Sequence, residues 1–160
     1  SLAGGSSLDA SPAIRGAFLG LDLGHTQADV VRATLEGIAL NLRIVLDHLR
    51  RLGDVGEEMI VVGGASRSSL WRRILADTLQ ADIIKPDVGQ EAGALGAAAV
   101  AAVSVGLWDS FDRIDEIDQA EDVTEPNARN QLVYEKLLTV FQQARLNQAQ
   151  LGDALAAVEL

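Results

Sequence analysis

The chain has 160 residues, a length that suits one domain with a substantial core. Its net charge of −10, from 13 basic and 23 acidic residues, argues against nucleic acid or an anionic membrane as a partner. It contains no cysteine, which excludes disulfides and thiolate metal sites and fits a reducing compartment, so a cytoplasmic location is expected.

The first segment, residues 1–13, is rich in glycine, serine and alanine and is expected to form a loop or tail. It lacks the basic and apolar regions of a signal peptide, so none is expected. Residues 17–23, which are bounded by glycines, form either a short strand or an extended loop.

A long helix is predicted next. Thr26 and Asp29 have the spacing of a capping box, and Gly53 suits a C-cap, so the helix should run to about Leu52. Apolar residues at helical spacing predict its buried stripe, which consists of Val31, Leu35, Ile38, Leu42, Val45, Leu46 and Leu49.

The middle of the chain alternates short apolar runs with helical patterns. Met59–Val62 is predicted to be a buried strand, and Asp82–Lys85 a second strand that Pro86 ends. A helix over Ser68–Leu79 separates them, and an alanine-rich helix over Glu91–Gly106 follows. This order predicts an α/β fold in which a crossover helix joins two parallel strands. The inward side chains of the crossover helix should be Leu70, Trp71, Ile74, Leu75 and Leu79.

The alanine-rich helix has a second interpretation, because Ala92–Trp108 carries no charge. A membrane span needs about 20 strongly apolar residues, and this shorter segment is mostly glycine and alanine. A buried helix is therefore favoured, with Gly93 and Gly96 allowing close packing against a neighbour.

The last third of the chain begins with an acidic segment, 109–122, which is predicted to lie at the surface with a short helix near Arg113–Ile117. Its carboxylates lack the spacing of a calcium-binding loop and are expected to be solvated. A final helix should start at Pro126 and run to about Asn147, and residues 148–160 either extend it or fray. Its core face should comprise Leu132, Val133, Leu137, Val140, Phe141 and Ala144.

The most informative segment joins the first predicted strand to the crossover helix. Gly63 and Gly64 end the apolar run, and a small polar stretch leads to Ser68 at the start of the helix. Glycine allows a ligand close to the backbone, and a helix N-terminus favours anions. The pattern indicates either a phosphate- or nucleotide-binding turn or a tight connection without a ligand.

Other catalytic patterns are weak. His25 and His48 are far apart and lack the spacing of a zinc site. Ser66, Ser68 and Ser69 are better explained by helix capping than by nucleophilic catalysis. The sequence has neither a G-x-S-x-G motif nor a Walker lysine, and no side chain stands out as a general base.

Four segments, in this order, resemble the C-terminal domain of the FGGY carbohydrate kinases, a family that includes xylulose, ribulose, glycerol and erythritol kinases. The resemblance extends from about Ser7 to Gln143. The version found at Leu70–Asp77 resembles the xylulose-kinase branch more closely than glycerol kinase. The four segments are Ser11–Leu21, Arg32–Ala39, Gly63–Ala65 with Leu70–Trp71 and Ala76–Asp77, and Glu91–Ala98.

The resemblance implies a two-domain protein of the ribonuclease-H-like, actin/hexokinase-type ATPase fold, with residues 1–160 forming its C-terminal nucleotide-binding domain or a fragment of it. Such kinases use ATP and Mg²⁺ to phosphorylate a small sugar or polyol. The resemblance to the xylulose-kinase branch implies that the substrate here is a ketopentose such as xylulose. It implies that Gly64 and Ser68 contact the nucleotide and that Gly63 and Ala65 form the turn.

Several parts of the family pattern match nothing in this chain. The family's catalytic aspartate and sugar site lie upstream, in the N-terminal domain and its junction, and the metal ligands are not expected in this chain. The first strands of the C-terminal domain are also unmatched. Ser68 replaces an asparagine of glycerol kinase. The chain alone is therefore expected to be inactive and, through uncovered apolar surface, to form a homo-oligomer. The alternative is a non-catalytic helical binding or assembly module that retains the kinase scaffold.

Overall fold

The computed structural model describes residues 5–158. The chain divides into two compact units, one formed by Asp54–Gln131 and the other by the residues before and after that range. Two short 3-10 helices, Gly64–Arg67 and Gly89–Glu91, accompany the regular elements. In chain order these elements are α1 (Gln27–Leu52), β1 (Glu58–Ile60), α2 (Ser69–Leu79), β2 (Asp82–Pro86), α3 (Ala92–Ser104), α4 (Arg113–Ile117), β3 (Ala120–Thr124) and α5 (Ala128–Ala156).

The unit Asp54–Gln131, which we call the sheet unit, contains a sheet with the strand order β1–β2–β3. β1 and β2 are parallel, with Met59 opposite Ile83, which confirms the predicted parallel pair. β-Branched residues suit the central strand, and Ile83 is completely buried there. The core of this unit lies between α2 and β2 and contains Ile74, Leu75, Ala76, Leu79 and Ile83.

The first strand differs from its prediction. β1 covers Glu58–Ile60 rather than Met59–Val62, and it is largely exposed rather than buried, with Ile60 69% exposed. Among the described residues β1 pairs only with β2, so it is an edge strand of the sheet. The Val61 N–H still donates to the Ile84 carbonyl oxygen at 2.9 Å before the chain turns.

The third strand, β3, was not predicted. It runs antiparallel to β2, with Val123 opposite Ile84, and lies within and beyond the segment predicted to be an acidic surface. Glu121 and Asp122 are exposed, as predicted, but they also form ion pairs with Lys85 and Arg72. Acidic residues have a low intrinsic preference for strands, so the sequence pattern of this segment does not predict one. The ion pairs with distant residues stabilise β3, and the local sequence does not reveal them.

Helix α2 covers Ser69–Leu79, one residue shorter than predicted, and three of its five predicted inward side chains, Ile74, Leu75 and Leu79, are buried. Leu70 is exposed, and Arg72 is buried instead. Arg72, Leu75, Ala76 and Leu79 share one helix face at i, i+3, i+4 and i+7 spacing, and this face points into the sheet unit.

Helix α3 is shorter than predicted and mostly exposed rather than buried. Only Ala99 and Ala102 are buried among its residues. Small side chains cover little area, and the described part of the chain contacts α3 along one narrow side. No described helix combines the length and hydropathy needed to cross a bilayer.

The other unit, which we call the helical unit, comprises the described residues before Asp54 and after Gln131. α1 begins with the predicted capping box between Thr26 and Asp29, and the Gly53 N–H bonds the Leu49 carbonyl oxygen at 3.1 Å. Both caps are therefore confirmed. Its core cluster consists of Leu40, Ile44 and Leu138, with Leu137 and Phe141 packed against it.

The predicted core faces of α1 and α5 were only partly correct, since Leu46 is buried and Leu137 and Phe141 pack against the core cluster, but other predicted residues are exposed. On α1, the predicted stripe is mostly exposed, and Ala39, Leu40, Ile44 and Leu46 are the buried residues. Leu132, Val133 and Val140 of α5 are likewise exposed, whereas Tyr134 and Leu138 are buried. The packed faces carry polar pairs, since Tyr134 bonds Glu36 at 2.9 Å and Arg43 bonds Glu135 at 2.9 Å. A search for apolar periodicity alone misses such faces.

The first described loop of the helical unit packs against the end of α5. Residues 17–23 contain no strand, so the loop interpretation is correct. α5 extends to Ala156, which agrees with the alternative that residues after Asn147 continue the helix, and its last turns contact the first loop. A Cβ on Gly152 would lie 2.5 Å from the Ala13 carbonyl oxygen, and Asp153 accepts a hydrogen bond from Ser11.

Candidate functional site

The segment Gly63–Ser68, which we call the glycine turn, connects β1 to α2. Gly63 has φ 78° and ψ −164°, a conformation essentially restricted to glycine. The next four residues, Gly64–Arg67, form a 3-10 helix, and Ser68 then caps α2. The structure therefore brings together all four predicted site residues, Gly63, Gly64, Ala65 and Ser68, in one turn.

Gly64 differs physically from Gly63. Its φ is not in the positive range that requires glycine, and a Cβ built on it would meet no heavy atom within 4 Å. Gly64 and Ala65 are both exposed. The described fold thus requires glycine at position 63 but not at position 64, where the missing side chain leaves open space.

Ser66 fixes the interior of the glycine turn. It is only 1% exposed, and both its N–H and its hydroxyl donate to the Gly63 carbonyl oxygen, at 3.2 and 2.8 Å. Its hydroxyl is therefore committed to the turn, which argues against a role as a nucleophile.

Ser68 is exposed and is the N-cap of α2. Its hydroxyl oxygen accepts the Trp71 N–H at 3.2 Å, which confirms the predicted capping role. The hydroxyl proton can still donate to a ligand. The first turn of α2 also presents backbone N–H groups and the positive end of the helix dipole to the same side.

A second turn lies beside the glycine turn, after β2. The Gly63 N–H donates to the Gly89 carbonyl oxygen at 3.2 Å, and Gly89 is buried with φ 37°. This second turn is held in place by Asp118, which accepts the Val88 N–H at 3.0 Å. In open α/β sheets, ligands bind at the carboxyl ends of parallel strands, which is where these two turns meet. Gly89 was not among the predicted site residues, although a glycine shortly after a strand-ending proline was an available signal.

Arg72 lies beneath the glycine turn and was also missed. Its guanidinium donates to the Ser66 carbonyl oxygen through Nη1, to Asp122 Oδ2 at 2.5 Å through Nη2, and to Thr124 Oγ1 at 3.4 Å through Nε. The signal available in the sequence was an arginine at helical spacing from Leu75, Ala76 and Leu79.

No three His, Asp or Glu side chains converge on a possible metal site within residues 5–158. His48 Nδ1 lies 2.7 Å from the Ile44 carbonyl oxygen in α1, and His25 Nδ1 lies 2.9 Å from Asp22. Each histidine thus has a local partner within the helical unit.

The largest change in acidity also lies in the helical unit. Burial of Tyr134, together with its hydrogen bond to the Glu36 carboxylate, raises the pKa of the phenol to about 12. Arg32 donates to the same Glu36 oxygen at 2.8 Å, and this contact raises the pKa of the guanidinium further. The three side chains form a structural network between α1 and α5.

Comparison with known proteins identifies relatives of this chain. The family model described as "FGGY family of carbohydrate kinases, C-terminal domain" matches residues 1–105. A glycerol kinase of Dichelobacter nodosus is 40% identical over 97 residues, which cover 60% of this chain and 19% of the relative. A xylulose kinase of Staphylococcus epidermidis is 30% identical over 142 residues, which cover 88% of this chain and 28% of the relative.

A solved structure agrees with these sequence relatives. The crystal structure of gluconate kinase from Lactobacillus acidophilus superposes with a TM-score of 0.76 at 28% identity, covering 86% of this chain and 28% of that one. The fold is thus the actin/hexokinase-like ATPase fold of sugar kinases, as the sequence resemblance predicted. The chain spans less than a third of the length of the proteins it matches.

Proposed function

This chain belongs to the FGGY family of carbohydrate kinases, and we propose that it forms the ATP-binding part of a longer kinase. That kinase transfers the γ-phosphoryl group of Mg-ATP to a sugar hydroxyl. On this proposal the chain is the C-terminal domain, or part of it, and its partner is an N-terminal sugar-binding domain. The proposed location is cytoplasmic.

The nucleotide site is proposed at the glycine turn, with Gly63, Gly64, Ala65 and Ser68 as its residues. The observation that carries this proposal is the open space at Gly64, since the described fold itself does not require glycine there. A bound nucleotide would occupy that space and would exclude a side chain.

Each residue has a distinct role in this proposal. Gly63 reverses the chain. Gly64 and Ala65, which have no side chain and a single methyl group, respectively, let the adenosine part of ATP approach the backbone closely. Ser68 offers its hydroxyl proton to the ribose or a phosphate, while the N-terminus of α2 favours the negative charge. ATP supplies the phosphoryl group. The catalytic base, the sugar site and the Mg²⁺ ligands belong to the N-terminal domain, outside this chain.

The proposed acceptor is a ketopentose such as xylulose. Support comes from the xylulose kinase of Staphylococcus epidermidis, which aligns with 88% of this chain. A coupled assay of ADP release by the longer protein, with xylulose, glycerol and gluconate as acceptors, tests the choice. We expect the highest kcat/KM with xylulose, and a preference for glycerol or gluconate would contradict it. The 160-residue chain alone should show no sugar-dependent ADP release.

Nucleotide binding can be measured on this chain by two-dimensional ¹⁵N–¹H NMR with millimolar ADP. We expect the amide signals of Gly63–Ser68 to shift. Gly64→Val should abolish these shifts, whereas Gly37→Val, at another uncrowded glycine with an ordinary φ in α1, should retain them. Unshifted signals at the glycine turn of the wild type would reject the nucleotide site and would favour the non-catalytic module.

A further inference from the structure

We propose that Arg72 is a positioning residue that holds the glycine turn in the conformation that binds the nucleotide. This inference rests on the proposed function, because it assigns a role at the same site. Arg72 does not lie on the exposed surface of the turn, since it is only 8% exposed, and its contact with the turn is to the carbonyl oxygen of Ser66.

Ser66 is the residue through which such control can act. It lies midway between Gly64 and Ser68, and its N–H and hydroxyl both bind the carbonyl oxygen of Gly63. The carbonyl oxygen of Ser66 is held by Arg72. Every polar group of Ser66 therefore has a partner, and the orientation of the peptide plane after Ser66 is fixed by the guanidinium.

The other end of the guanidinium is anchored on β3. Asp122 Oδ2 and Thr124 Oγ1 accept from Nη2 and Nε, so three different nitrogen atoms of one rigid group contact three acceptors. β3 pairs with β2, the central strand of the sheet. Arg72 therefore ties the glycine turn to the sheet itself, in addition to the covalent connections of the turn to β1 and α2.

The chemistry of arginine is essential to this arrangement. A lysine would keep the positive charge, but it offers one ammonium group in place of a planar set of donors with fixed directions. It cannot hold the Ser66 carbonyl oxygen and both β3 side chains with the same geometry. Arg72→Lys therefore removes the contacts that position the turn but keeps the positive charge beneath it.

A matched control is available in the next residue. Arg73 is also on α2, but its guanidinium donates to the Glu125 carbonyl oxygen rather than to the glycine turn. Arg73→Lys thus makes the same chemical change one position away. If Arg72 only stabilised the packing of α2 on β3, Arg72→Lys would lower the urea midpoint and leave the affinity of the folded protein unchanged.

The test is the dissociation constant for ADP, measured by NMR titration of folded wild-type, Arg72→Lys and Arg73→Lys chains. We expect about tenfold weaker binding for Arg72→Lys, as for the loss of a hydrogen bond from a charged group, and a change below about twofold for Arg73→Lys. If Arg72→Lys does not fold, Thr124→Val serves instead, because it removes only the acceptor for Nε. It should weaken ADP binding by about two- to threefold.

Two negative results have different meanings. In the first, ADP binds the wild type and a folded Arg72→Lys variant with equal affinity, or binds Thr124→Val equally well where that variant replaces it. This result would overturn the role of Arg72 and leave the nucleotide site intact. Absence of ADP-induced shifts at Gly63–Ser68 in the wild type would reject the proposed function itself, and the inference about Arg72 with it.

Discussion

The backbone N–H of Gly63 donates to the carbonyl oxygen of Gly89 at 3.2 Å and joins the two turns that follow the parallel strands β1 and β2. Both glycines have a positive φ, so each turn depends on glycine for its conformation. The hydrogen bond places the candidate site at the carboxyl edge of the sheet, where α/β folds commonly bind ligands.

Substitutions of the two adjacent glycines should have opposite consequences for stability. Gly63→Ala places a side chain in a conformation restricted to glycine and should cost about 1–3 kcal/mol in free energy of unfolding. Gly64→Ala should change it by less than about 0.5 kcal/mol, because the position is uncrowded and has no positive φ. Urea unfolding of the two variants measures the difference, and equal destabilisation would refute this account of the turn.

Removing the cap of α2 should have a moderate effect. Ser68→Ala deletes the acceptor for the Trp71 N–H and should lower the free energy of unfolding by about 0.5–1.5 kcal/mol. Ser69→Ala, one residue inside the helix, is the control and should cost less, because alanine is a good helix former. A larger loss for Ser69→Ala than for Ser68→Ala in urea unfolding would contradict the assignment of the cap.

The sequence contains one tyrosine, so its ionisation can be followed by ultraviolet absorbance without ambiguity. Tyr134 should titrate with a pKa of about 12 in the folded chain, compared with 10.0 as its ordinary value. Glu36→Gln removes the carboxylate that accepts from the phenol and should lower the midpoint. An unchanged midpoint in Glu36→Gln would contradict the effect of the carboxylate.

The raised pKa of Tyr134 also has a consequence for stability. The folded state favours the protonated phenol, so this contribution is fully present below pH 10.0 and is lost as the pH rises through about 12. Phenylalanine cannot ionise. The free energy of unfolding of Tyr134→Phe, relative to that of the wild type, should therefore increase as the pH rises from 10.0 to about 12.

The exposed apolar side chains of α1 predict concentration-dependent self-association, measurable by light scattering. Leu42→Lys should reduce the scattering, whereas Asn41→Lys adds the same charge at a neighbouring exposed polar position and should reduce it less. A strictly monomeric wild type would refute this prediction. The exposed residues on this helix include Val31, Ile38, Leu42, Val45 and Leu49.

Local signals made part of the fold predictable from the sequence. The capping box of Thr26 and Asp29, the C-cap at Gly53 and the N-cap at Ser68 depend on hydrogen bonds between groups only a few residues apart. The parallel pairing of β1 and β2 followed from the length of the helix between them. These features need no knowledge of distant contacts.

The features that were missed depend on distant partners. β3 is acidic, and its pairing with β2 is supported by contacts of Asp122 with Arg72 and of Glu121 with Lys85, across 50 and 36 residues. The packed face of α1 contains Glu36 and Arg43, which bind Tyr134 and Glu135 of α5. Apolar periodicity alone cannot identify such faces, and it therefore selected the more apolar, exposed stripe of α1.

The most direct test of the central claim is the steady-state kinetics of Gly64→Val in the longer kinase, with ATP and sugar varied separately and rates corrected for the folded fraction. We predict an increase of about tenfold or more in KM for ATP and a change below about twofold in KM for the sugar, because the added side chain occupies the space proposed for the nucleotide. An unchanged KM for ATP in well-folded Gly64→Val enzyme would contradict nucleotide binding at the glycine turn.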